Sequence, residues 1–250
     1  MTQTASAAAS APATSATSKG LFTRAIGVLT SPRSTYASVA AQPKVVGILL
    51  LALAMIATAS IVFFSTDVGK TALLDQQVKG MESFGLKVSD EMYQRLEERL
   101  SSPTTPYLTA ASQIVFIPII ALAVAGILLA IFNAVLGGDA TFKQVFAVVA
   151  HAGMVNVVQQ WFVFPLDYVR ESLSSPTAIS VFLPFLEETS FAGRFFGSVD
   201  LFILWWILNL AIGLGVLYKR RTQPIAVGLL ITYIAIVLIV AAVRTALSGA

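Results

Sequence analysis

The sequence predicts an all-α integral membrane protein: a bundle of five transmembrane helices, preceded by an in-plane N-terminal amphipathic helix and interrupted by a short helical outer loop. Three observations predict it. Five apolar runs, 45–64, 110–136, 145–166, 201–218 and 225–243, contain no Lys, Arg, Asp or Glu. A helix rises ~1.5 Å per residue, so ~20 residues cross a hydrocarbon core ~30 Å thick. The chain is 56% hydrophobic and only 12% charged, whereas soluble domains carry about 25% charged residues. Finally, the charges divide by side, as set out below.

Residues 1–18, MTQTASAAASAPATSATS, read as a disordered Ala/Ser/Thr tail. They lack the basic start and apolar core of a secretory signal peptide, so the first span is expected to act as an uncleaved anchor. Residues 19–44 form a cytoplasmic interfacial segment. Leu21, Phe22, Ala25, Ile26 and Leu29 make an apolar face with Lys19 and Arg24 opposite, which predicts a helix in the plane of the inner leaflet. Ser31 followed by Pro32 reads as an N-cap with proline at the first helical position, opening a second short helix through 34–41. Arg33 and Tyr36 are placed to meet headgroups or a partner.

The membrane domain occupies 45–243, with outer loops 65–109 and 167–200. In the first loop Ser89 caps a helix with Asp90 and Glu91 in its first turn. Met92, Leu96 and Leu100 form its apolar stripe, and Pro103 and Pro106 end it. In the second loop 179–186 is too short to span and is expected to lie at the interface or re-enter.

With the N-terminus inside, the inner segments hold eight basic residues (Lys19, Arg24, Arg33, Lys44, Lys143, Lys219, Arg220, Arg221) and one acid, Asp139. The outer loops hold seven basic residues and eleven acids besides Asp200, which stands at the border of the fourth run. Retention of basic residues at the cytoplasm then puts the N-terminus inside and the C-terminus outside.

Polar residues inside the spans are the candidate network: Asn133, His151, Asn156, Gln159, Gln160, Asp200 and Asn209. The depths pair Asn133 with His151, Asn156 with Asn209, and Gln159 or Gln160 with Asp200. Such residues mark helix contacts or a pathway. Amides dominate the set, which favours contacts. Trp205 and Trp206 lie too deep for an aromatic belt, so one should face another helix.

No catalytic set is visible. The one His lies in a span, there is no Cys for a disulfide or thiolate metal site, and Gly137-Gly138-Asp139 lacks the Lys-Ser/Thr of a phosphate loop. No cofactor, metal or catalytic residue is expected. The basic residues sit at span ends rather than on one face, so the pI of about 9.3 does not indicate nucleic acid.

Three stretches resemble the bacterial branch of the Yip1 domain family. Leu29-Thr30-Ser31-Pro32-Arg33-Ser34-Thr35-Tyr36 is similar to its L-x-x-P-x-x-x-[FY] segment. Gly137-Gly138-Asp139-Ala140-Thr141-Phe142-Lys143-Gln144 is similar to its GG-x-x-[ST]-F-[KR]-Q turn. Asp200-Leu201-Phe202-Ile203-Leu204-Trp205 is similar to its D-x-F-x-[IL]-W start of the fourth span, with Gly213 downstream. The resemblance runs from about Leu21 to Val243. The long charged loop 65–109 departs from the pattern and suggests a lineage-specific insertion. The family implies five spans with a cytoplasmic N-terminus. Its eukaryotic members resemble trafficking factors that bind Rab-type GTPases; that partner is not carried over, because their long cytosolic N-terminal region has no counterpart here.

The expected function is non-enzymatic: organisation of membrane lipids or partner proteins by lateral association, the partners being the bilayer and other membrane proteins or a second copy. The alternative is a small transporter or channel using the polar face of span three.

Overall fold

The computed structural model describes residues 20–247. The tail 1–18 and Lys19 lie outside the described residues. All regular structure among those described is helical. Two short helices come first, α1 (Leu21–Thr30) and α2 (Pro32–Ala41), folded back on each other at Ser31. Then come α3 (Val46–Phe64), α4 (Asp67–Ser83), α5 (Asp90–Ser101) and α6 (Thr105–Leu129). A π-helical turn, Ala130–Val135, extends α6. The chain continues through α7 (Phe142–Ala152), α8 (Met154–Arg170), a 3-10 turn at Ile179–Phe182, α9 (Phe191–Ser198), α10 (Leu201–Leu217) and α11 (Thr222–Leu247).

Four helical segments are long and apolar enough to cross a membrane: Val46–Phe64, Thr105–Val135, Phe142–Arg170 and Thr222–Leu247. The helix over the fourth run, α10, is apolar but has 17 residues. The core lies between α3, α6, α7, α8 and α10, where Ile48, Val145, Val148, Leu210 and Leu214 are fully buried. Trp206 packs against that core.

Several expectations gain detail or need correction. Helix α1 places Arg24 opposite Phe22 and Ile26, as the sequence predicts. Its apolar residues Phe22 and Ile26 are 69% and 61% exposed, while Arg24 is 2% exposed. The helix turns its charge inward, because α2 lays its C-terminal carbonyls beside α1 and Arg24 donates to one of them. Ser31 precedes Pro32 as expected, but its side chain caps nothing in α2; its hydroxyl instead donates back to the Gly27 carbonyl at 3.5 Å.

In the outer loop Ser89 does cap α5, accepting from the Met92 N–H at 3.3 Å. A second helix, α4, precedes it, capped by Thr66, which accepts from the Gly69 N–H at 3.0 Å. Pro106 does not end α5. It lies in the first turn of α6, where a missing N–H costs nothing. The third span is broken at Gly153, between α7 and α8.

Candidate functional site

The conspicuous feature of the interior is where its polar side chains point. Asn209, midway along α10, is 3% exposed. It accepts from the Tyr36 hydroxyl and donates to the Val28 carbonyl at 2.8 Å. One amide thus holds both α1 and α2 against α10. Tyr36 is fully buried, and its ring fits because position 213 is glycine. A Cβ there would stand 2.5 Å from Val148 Cγ1 and 2.9 Å from the Tyr36 ring. Burial pushes the Tyr36 phenol above its ordinary pKa, so it remains a donor.

The loop after α6 is built on the same plan. Gly137 takes a φ of +69°, a left-handed conformation that glycine adopts without strain. Gly138 approaches the Tyr218 ring so closely that a Cβ would come within 2.6 Å of it. Asn133, in the π-helical turn, donates to the Ala140 carbonyl at 2.8 Å and accepts from the Tyr218 hydroxyl at 2.9 Å. The Phe132 and Tyr218 rings stack at 4.7 Å. Thr141 and Gln144 then form a capping box at the start of α7. Gln144 also donates to the Ala40 carbonyl at 3.2 Å, tying α7 to the end of α2.

These contacts explain the spacing of two sequence motifs. Phe142, Lys143 and Arg33 remain exposed, and Pro32 is half-buried. Phe142 stacks on Phe146, ring centroids 5.9 Å apart.

Asp200 organises the other end of α10. It caps the helix, accepting from the Phe202 N–H at 2.7 Å and the Ile203 N–H at 3.4 Å. It also accepts from Thr177 at 2.6 Å, Ser175, and Gln159 at 3.2 Å. The Asp200 N–H meets the Tyr233 hydroxyl at 3.3 Å. This buried carboxylate is therefore surrounded by donors. Phe202 lies between Phe162 and Trp205, 5.6 and 5.9 Å from their ring centroids.

Gln160 turns the opposite way. It donates to Ser60 at 2.7 Å, and Ser60 donates to Gln113 at 2.6 Å, linking α8, α3 and α6. Gln113 and Ser60 were absent from the candidate network; nothing in their local sequence sets them apart. His151 is buried, with Nδ1 2.7 Å from the Ala147 carbonyl of its own helix. It does not meet Asn133. Asn156 does not meet Asn209 either: it is exposed on α8.

The candidate residues thus form separate pins rather than one connected track. No group of His, Cys, Asp or Glu able to hold a metal occurs among the described residues.

A family model described as the Yip1 domain matches residues 26–244. No curated protein and no solved structure matches the chain.

Proposed function

The chain belongs to the Yip1 domain family, and from that membership we propose a five-crossing, non-enzymatic protein that organises lipids or partner proteins by lateral association. It is a multi-pass membrane protein; the fifth crossing, by α10, is part of the proposal. The family is generally non-catalytic. In this reading the protein sits in a bacterial inner membrane with its N-terminus in the cytoplasm and its C-terminus outside. Supporting an even number of crossings between α4 and the end of α11, Arg244 near that end lies over the Phe84 ring at 5.1 Å. The end of α11 and the loop after α4 are therefore on one side. The segments 1–18, 19–44 and 45–243 keep the roles of tail, interfacial segment and membrane domain.

The observation that carries the reading is that Asn133, Gln159, Gln160 and Asn209 bind other helices or loops. Committed amides hold a bundle together and leave few groups to line a passage. At the inner boundary, Arg33, Phe142 and Lys143 form the exposed surface offered to partners.

Two measurements test this. Purified protein in liposomes should produce no solute or ion flux above empty vesicles; clear flux would favour the transport alternative. Photocrosslinkers at Arg33 and Lys143 should capture a defined membrane protein, lipid or second copy, with Ile119 on α6 as the lipid-facing control. Capture no different from the Ile119 control would remove the partner surface.

A further inference from the structure

Arg24 is a buried charge whose donors are only partly matched among the described residues. It is 2% exposed, and Nη1 donates to the Gln42 carbonyl at 3.1 Å. Its Nε and Nη2 are buried with no hydrogen-bond partner. A buried guanidinium left partly unpaired is strongly unfavourable unless an anion completes it.

The described protein supplies no such anion. The first acid in the sequence is Asp67, beyond the first span. Residues 1–66, the tail included, contain no Asp or Glu. At the inner boundary the sole acid is Asp139, which acts on Tyr218.

A second feature lies beside it. Arg24 is in the first turn of α1, whose N-cap is Gly20 and whose first N–H groups receive no side-chain cap. Uncapped N–H groups at the positive end of a helix attract anions. Side chains on a helix lean toward its N-terminus, so the guanidinium and these N–H groups share one end of α1. Phe22 and Ile26, flanking Arg24 in sequence, are exposed on the outside of the same helix and provide a surface for acyl chains.

We propose that Arg24 and the N-terminus of α1 bind a phosphate group, supplied by the headgroup of an anionic inner-leaflet phospholipid. The guanidinium gives the phosphate a charge-assisted donor pair through Nε and Nη2, the geometry for which arginine is suited. Nη1 meanwhile stays on Gln42, so binding also fastens α1 to α2. The lipid source rests on the proposal that α1 lies at the inner leaflet; the phosphate chemistry does not.

The test uses the full chain in detergent, with retained ligand read by native mass spectrometry. The probes are phosphatidylglycerol, a diacylglycerol with the same acyl chains, and inorganic phosphate. The wild type should retain phosphatidylglycerol roughly tenfold better than diacylglycerol. Arg24→Gln should bring that ratio close to one, and Arg24→Lys should leave an intermediate ratio. If inorganic phosphate binds in an Arg24-dependent way and displaces the lipid, the site stands with a soluble phosphate as its ligand. Equal retention by wild type and Arg24→Gln overturns the proposal, as does a wild type with no preference for either phosphate source. If Arg24→Gln does not fold, Arg24→Lys decides: a reduced ratio supports the site and an unchanged one overturns it. A single cysteine at Arg33, labelled from one side at a time, reads orientation independently. Labelling from outside would refute the topology and leave the phosphate site intact.

Discussion

The two ends of the bundle are held together by different chemistry. At the end that carries α1 and α2, polar side chains reach main-chain carbonyls of other segments: Asn209 reaches Val28, Asn133 reaches Ala140, Gln144 reaches Ala40, Arg24 reaches Gln42 and Arg220 reaches Leu136. Two side-chain pairs, Tyr36 with Asn209 and Tyr218 with Asn133, add to these. At the end that carries α4 and α5, side chain mostly meets side chain: Gln160 with Ser60 and Gln113, Gln159 with Asp200, Arg99 with Gln77. A carbonyl acceptor exists whatever residue bears it. A contact to a carbonyl therefore constrains one partner's identity, while a side-chain pair constrains both. The carbonyl contacts tolerate sequence drift in the segment being held.

The sharpest way to break this contrast is Gly213→Leu. The added side chain has no room between Val148 and Tyr36, so overpacking should cost about 1–3 kcal/mol or more and lower abundance and thermal stability in detergent. Gly126, on α6, has nothing within 4 Å of an added Cβ; Gly126→Ala should be neutral or stabilising. Equal effects at both positions would show that the close approach at Gly213 does not constrain the packing there.

Next in size is Tyr36→Phe. It leaves the buried Asn209 carbonyl oxygen without its donor and should cost about 1–3 kcal/mol. Near α4 and α5, Ser60→Ala removes two polar contacts, each averaging about 0.6 kcal/mol between membrane helices, so it should cost about 1.2 kcal/mol. Chemical denaturation of the two variants side by side checks the order, and a larger loss for Ser60→Ala would reverse the comparison.

Thr141→Ala removes the capping box of α7 and should cost about 1 kcal/mol. Because Gln144 would lose one partner and keep Ala40, hydrogen exchange should speed up in the first turn of α7 and stay slow at the end of α2. The smallest expected effect is Asn156→Leu. An exposed amide replaced by an apolar group on a membrane helix should change stability by less than about 0.5 kcal/mol. A large loss would mean Asn156 has a partner in the membrane.

Much of this plan was legible in the sequence, and the gaps have physical causes. Uncharged runs of this length identify membrane helices almost by themselves, so α3, α6 and α11 fall close to where hydropathy places them. The capping residues Thr141 and Ser89 act locally and can be read locally. Helix α4 escaped because DVGKTALLDQQVKGMES has no clear apolar stripe, and its Leu74 and Ala72 are buried without one. Depth along a span can be counted from the sequence, and of the two glutamines counted to the depth of Asp200 it is Gln159 that donates to it. Rotation about the helix axis cannot be counted, and equal depth does not bring Asn156 to Asn209 or His151 to Asn133. The sequence places Arg24 opposite the apolar face of α1 but cannot show its burial, which depends on α2 folding back, a tertiary event.

The π-helical turn at Ala130–Val135 has a consequence for chain length. Its Leu136 N–H reaches back five residues to the Ile131 carbonyl, so it holds one residue more than an ordinary helical turn would. Removing one residue ahead of Asn133 within 130–135 would close the wide turn to the usual pitch and shift Asn133 in register, away from Ala140 and Tyr218. This stretch should thus accept substitutions far more readily than deletions, and a one-residue gap there would mark a chain that closes its inner loop by other means.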